Sequence, residues 1–178
     1  CIRDSNKIHG DWAGAACVNL ETDHPGLTAM ISIGCGADAD PQPRGKMEHV
    51  LQHGKSISNE VNRMLSEPMK VLSSPPEGQY RLVDLPFAHV PNRAELQERG
   101  EKSNWNDIYA KKNLAMLIDG EEIPSSISYP IQTWTFGEDL AIVFLAGEVV
   151  VDYAIRLKSN LDRDRLWINA YANDAPCY

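Results

Sequence analysis

Apolar positions along the chain recur at two spacings, and the changes between them predict its elements. HGDWAGAACVNLETDHPG carries Ala13, Ala16, Cys17 and Leu20 at helical spacing. Asp11 is placed to cap that helix and Pro25-Gly26 to end it. The continuous apolar run LTAMISI then predicts a short strand buried on both faces. Met47, Val50, Leu51, Ile57, Val61 and Leu65 mark a second helix over MEHVLQHGKSISNEVNRMLSE. Gly54 weakens its middle, by about 1 kcal/mol relative to alanine.

SSPPEG predicts a turn, and QYRLVDLPF alternates as a strand does. PNRAELQERG opens a polar helix with Pro91 and Asn92 at its start, and another is expected from Asn104 to about Leu117. Trp105, Ile108, Tyr109 and Leu114 would form its inner side. SYPIQTWTFGEDLAIVFLAGE predicts two strands joined at Gly137-Glu138-Asp139. VVVDYAIRLKSN is then a helix launched after Gly147-Glu148, and RLWINAYAND a last strand running into a polar loop. Strands alternating with helices imply an α/β fold, with a mixed parallel/antiparallel sheet flanked by helices.

The 178 residues suit a single domain, expected here to be partial, spanning 1–178. The chain starts with cysteine rather than methionine and stops abruptly after a strand-like run. It therefore reads as a fragment of something larger. A net charge of -8, with no basic cluster longer than Lys111-Lys112, argues against a nucleic-acid partner. LAIVFLAG, the longest uncharged apolar run, is too short for a transmembrane segment. Cys1, Cys17, Cys35 and Cys177 form no CxxC pair and no zinc-knuckle spacing. Cys17 and Cys35 are expected as free buried thiols.

In open α/β sheets ligands gather at the carboxyl ends of strands. Three polar strand ends compete for that place: GCGADADP, AGEVVVDY and YANDAPCY. Glu148, at a strand-to-helix junction, can cap the helix or serve as a metal or acid/base carboxylate. Asn173, Asp174 and Pro176 fit a turn. By residue type alone Tyr178 is a core or rim tyrosine, since a phenol must lose or share its proton before binding a metal. His49 and His53, four apart, can share one helix face, but no third ligand is evident nearby. No GxSxG, HExxH, GxGxxG or GxxxxGK[ST] pattern is present.

Taken in order, HGDWAG, SIGCGADADPQPRG, YPIQTWTFG with LAIVFLAGEVVVDYAIRLK, and WINAYANDAPCY resemble the neutral/alkaline ceramidase family along nearly the whole chain. They are most similar to bacterial ceramidase-like proteins of unassigned substrate. The resemblance implies a secreted, periplasmic or envelope zinc hydrolase that cleaves the amide of N-acylsphingosine to a fatty acid and sphingosine. It implies metal ligation by Glu148, in Ala146-Gly147-Glu148, and by Tyr178, at the end of the segment from Asn173. Two further histidine ligands of the Zn2+ are expected upstream of Cys1, and the resemblance makes 1–178 the central to C-terminal part of a ceramidase-like catalytic domain, truncated at both ends.

This chain departs from the family at one functional position. Characterised ceramidases carry G-D-V-S-P, with a serine near the metal proposed as nucleophile. The matching segment here is Ala37-Asp38-Ala39-Asp40-Pro41, which retains the aspartate as Asp38 and places Asp40 where the serine stands. A carboxylate can orient water or accept its proton, but it cannot form the ordinary acyl-serine ester. Attack by metal-activated water on an amide carbonyl is thus the expected reaction, with a small-molecule or lipid amide as substrate, ceramide or another N-acyl amide. Asp40 would be the base or orienting group, and Asp38 would brace the loop. Both aspartates can equally be explained as caps for loop N–H groups. The competing functional class is a non-catalytic relative, a surface module that binds lipid or carbohydrate.

Overall fold

The first two helical patterns fold as α1, Asp11–Asp23, and α2, Met47–Leu65. The computed structural model describes residues 8–101 and 105–176. α1 buries Ala16 and Leu20, while α2 buries Val50, Gly54 and Ser58, so each helix presents a stripe at four-residue spacing. The helices pack together at Gly54, where an added Cβ would lie 2.6 Å from the Cβ of Ala15 and 3.0 Å from the nitrogen of Ala16. The glycine expected to weaken α2 is therefore the point that lets it touch α1.

Four strands form one sheet in the order β1, Glu77–Pro86; β2, Ser126–Phe136; β3, Leu140–Leu145; and β4, Leu166–Asn169. β2 and β3 pair antiparallel from Ile131 opposite Leu145 to Phe136 opposite Leu140. Gly137, at φ +52°, makes their turn. Trp134 and Phe144 meet edge to face across this pair, with ring centroids 5.0 Å apart. β4 runs parallel to β3, with Ala141 opposite Leu166 and Phe144 opposite Asn169. A parallel pair needs a crossover. Here α5, Val151–Asn160, and a single 3-10 turn at Arg163–Arg165 supply it. The fold is α/β with a mixed sheet.

By its internal contacts the chain divides into two units, one of Cys1–Tyr80 with Ile131–Tyr178 and one of Arg81–Pro130. The second unit contains α3, Arg93–Gly100, and α4, Trp105–Ile118. α3 opens on a capping box: the Asn92 side chain accepts from the N–H groups of Ala94 and Glu95, and the Glu95 carboxylate accepts from that of Asn92. Leu96 and Ala110 are buried where α3 and α4 pack. Ile108 and Tyr109, expected on the inner side of α4, are exposed instead. The small Ala110 takes the buried place and permits a closer approach than either would.

The strand expected over LTAMISI does not form. Residues 27–34 have no regular structure, and Met30 is 89% exposed. The segment is tied beside β4 at Ile33, whose carbonyl accepts the Ala170 N–H at 2.9 Å. Among the described residues no helix is long and apolar enough to cross a membrane.

Candidate functional site

β3 and β4 end side by side, and their exits are laced together by main-chain hydrogen bonds. Ala172 N–H donates to the carbonyl of Leu145 at 3.1 Å, Tyr171 N–H to that of Gly147 at 3.0 Å, and Gly147 N–H to that of Asp174 at 3.0 Å. Gly147 turns the chain out of β3 at φ +69°, a left-handed conformation that costs little without a Cβ. Tyr171 and Asn173 also have positive φ, at 55° and 67°. An aromatic residue held there is uncommon, and such backbone strain gathers at functional sites.

The 34–45 loop joins the same junction. Ala37 N–H donates to the carbonyl of Val149 at 3.2 Å, and an Asp38 carboxylate oxygen accepts from Val151 N–H at 2.9 Å. At its far side, His53 Nε2 meets the carbonyl of Pro43 at 2.7 Å, so the neutral ring carries its proton on Nε2. The three strand-end segments that competed for the site in the sequence therefore lie at one place.

Each candidate carboxylate has a different setting. Asp38 supplies the cap that α5 lacks locally, since Val150 at the N-cap position makes no side-chain bond. Glu148 does not cap: the nearby helix N–H goes to Asp38. Its own exposed carboxylate has no hydrogen bond or ion pair among the described residues. Asp40 is ion-paired with Arg44, four residues further along the loop, and both side chains are about half exposed. Asp174 uses its carboxylate locally, accepting from Ala175 N–H at 2.8 Å. Tyr178 lies outside the described residues.

Asp40 also lines a cleft of about 640 Å3, whose other walls are Trp12, residues 32–36, Ala39 and Pro41. This volume is within the range of small-molecule sites. Trp12 reaches it from the first turn of α1. That turn is fixed by Asp11, whose N–H donates to His9 Nδ1 at 2.9 Å and whose carboxylate accepts from Trp12 N–H at 2.6 Å. Cys35 is a wall residue too, but burial pushes its thiol pKa up. A main-chain hydrogen bond at Ala154 opposes that shift, and the charge of Asp38 reinforces it. Cys35 is thus held as a thiol at neutral pH, a poor nucleophile. Asp38 and Glu148 are not among the walls; they belong to the adjoining junction.

Trp12 and Arg44 had no assigned role in the sequence, whereas Cys35 is the free buried thiol expected there and Cys17 is free but only half-buried. The HGDWAG stretch was the only signal for the first of them. His49 and His53 face different partners: His53 holds the loop, and His49 Nε2 lies 3.5 Å from a carboxylate oxygen of Glu48. Among the described residues the buried Nδ1 of His49 has no hydrogen-bond partner. Among the described residues no three His, Cys, Asp or Glu side chains group as a metal site. Of the ligands implied for zinc, Glu148 alone is described, and its unpaired anionic oxygen at a strand end suits a hard-to-borderline cation. No family model matches the chain, and no curated protein or solved structure matches it.

Proposed function

We propose that the chain carries the strand-end half of a zinc-dependent amide-hydrolase site resembling that of neutral ceramidases. The observation that supports this most directly is the Asp38–Val151 hydrogen bond, which holds the 34–45 loop against the junction bearing Glu148, a carboxylate unpaired among the described residues. In this reading Glu148 and Tyr178 hold the metal together with two histidines upstream of Cys1. When bound, zinc supplies Lewis acidity and a water that ionises near neutral pH.

The chain's own residues do the remaining work. Asp38 is a positioning residue: it spends one carboxylate oxygen on α5 and so fixes where Asp40 stands. Asp40 accepts a proton from the attacking water and returns it to the leaving nitrogen. The water oxygen bonds to the carbonyl carbon, the C–N bond breaks, and a carboxylate and an amine leave. Trp12, Ile33 and Pro41 supply the apolar part of the cleft wall beside this step.

The test is metal content and amine release in the full-length protein. Wild type should bind one zinc per chain, while Glu148→Ala should lose most of it together with hydrolysis of N-acyl amides. Unchanged zinc in Glu148→Ala, or no zinc in wild type, overturns the reading and favours a non-catalytic binding module.

A further inference from the structure

We infer that the chain carries a second site, where β3 and β4 begin, for a phosphomonoester with a ring-bearing organic part. It is independent of the hydrolase reading above.

A cavity of about 350 Å3 opens there, with Leu140, Ala154 and Leu166 in its apolar wall. Lys158, Arg163 and Arg165 line the rest of it, three cations converging in a chain whose net charge is -8. Asp164 is the one carboxylate in the wall, and it forms no ion pair among the described residues. Arg165 is held in place, donating from Nη1 to the Glu138 carboxylate at 2.8 Å and from Nη2 to the carbonyl of Gly137 at 3.3 Å. Lys158 is half-buried, yet neither it nor Arg163 has a hydrogen bond or ion pair among the described residues. Lys158 belongs to the last turn of α5, where a cation suits the helix dipole. That accounts for one charge and leaves the convergence of three unexplained. A half-buried cation without a counter-ion is costly, and an oxyanion in the cavity supplies one.

Charge and shape select the anion. The wall holds a net of two positive charges, because Glu138 stands outside it, 95% exposed and screened by water. A phosphomonoester brings about -1.5 to -2 charges at pH 7 and three acceptor oxygens. A carboxylate or a sulfate ester brings only one charge. Arginine forks suit two of the oxygens, and a lysine serves the third as a point charge. Beyond the cations the wall continues as Trp167, 56% exposed. Its indole offers a flat face on which a ring joined to the phosphate stacks.

The experiment is titration calorimetry of the full-length protein with phenyl phosphate, inorganic phosphate and phenyl sulfate. Phenyl phosphate should bind roughly tenfold more tightly than phosphate, through stacking, and roughly tenfold more tightly than phenyl sulfate, through charge. Lys158→Gln and Arg163→Gln should each weaken phenyl phosphate by about tenfold, the scale of one charged hydrogen bond. Trp167→Ala should bring phenyl phosphate down to the affinity of inorganic phosphate and leave the latter bound. Thermal unfolding of each variant confirms that the fold persists. Phenyl phosphate that does not bind, that binds no more tightly than phosphate or phenyl sulfate, or that binds unchanged when Lys158→Gln and Arg163→Gln are combined would overturn the proposal. Neither zinc content nor amide hydrolysis enters the readout, so failure of the hydrolase reading leaves this test intact.

Discussion

Asp38 caps α5 from a position 113 residues earlier in the chain, through a 2.9 Å hydrogen bond to the N–H of Val151. The helix has no side-chain cap of its own, and Glu148, three residues before it, leaves the task undone. One carboxylate thus joins the loop of the cleft to the exit of β3, while another at that exit is unengaged among the described residues.

Removing the cap should be measurable as stability. Asp38→Ala is expected to cost about 1 kcal/mol, lowering Tm by about 2–4 °C for a chain of this size. Asp38→Asn retains an accepting oxygen and should lose less. Thermal unfolding followed by circular dichroism separates the two; identical melting of both variants and wild type would mean the bond contributes nothing.

Gly54→Ala sets helix propensity against packing. In isolation the alanine would favour α2 by about 1 kcal/mol. The new methyl would instead meet the Cβ of Ala15 at 2.6 Å and main-chain atoms of Ala15 and Ala16 near 3 Å. Overpacking costs about 1–3 kcal/mol, and neither contact is the far end of a flexible side chain, so net destabilisation is expected. Denaturant unfolding should show a lower midpoint with the slope unchanged. Adding Ala15→Gly should recover part of the loss, because it removes the shortest of the contacts.

Acid sensitivity should be traceable to Asp139. The Ser73 hydroxyl and N–H both donate to one of its carboxylate oxygens, at 2.5 Å and 3.0 Å, and Lys70 Nζ lies 2.9 Å from the other. The Ser73 hydroxyl first, then Lys70 and the Ser73 N–H, hold the carboxyl well below the usual carboxylate range. A depressed folded pKa stabilises the fold above the unfolded value, about 3.9 for aspartate, and that contribution falls away in stronger acid. The Tm difference between wild type and Asp139→Asn should therefore be level from pH 7 to about pH 5 and narrow below about pH 4. A difference that does not change with pH would show that this carboxylate is not perturbed by folding.

What the sequence discloses about this chain depends on how far apart the partners lie. α2, α5 and the β2–β3 hairpin follow from spacing within a few residues, and Gly137 sits at the turn as expected. LTAMISI misleads because an apolar run states a preference for burial without naming a ladder partner; its tie to the sheet runs through Ala170. Ile108 and Tyr109 mislead on α4 because helical spacing does not say which of two apolar faces is covered, and Ala110 is the one inside. The glycine at position 54 carries a cost in any local reckoning, and only α1 beside it reveals its purpose.

The candidate site was legible as three separate polar segments, two of them at true strand ends, and their meeting was not. Glu148 was poised between capping and ligation, and no property of residues 146–151 decides between them. Asp38 removes the first alternative from outside that segment. Arg44 was visible in the loop composition, but its pairing with Asp40 needs the loop's path.

The unit that carries the cleft is drawn from two stretches, Cys1–Tyr80 and Ile131–Tyr178, with Arg81–Pro130 forming a unit between them. This arrangement sets a timetable for folding. α1 with α2, and α3 with α4, can each close over short sequence separations, which is fast. The cleft loop cannot be fastened until Val149 and Val151 are present, so its closure bears the entropy of a long loop. During synthesis, Asp38 and Asp40 leave the ribosome long before the strand exit that anchors them. The part of the molecule proposed to perform chemistry is thus assembled among its last contacts.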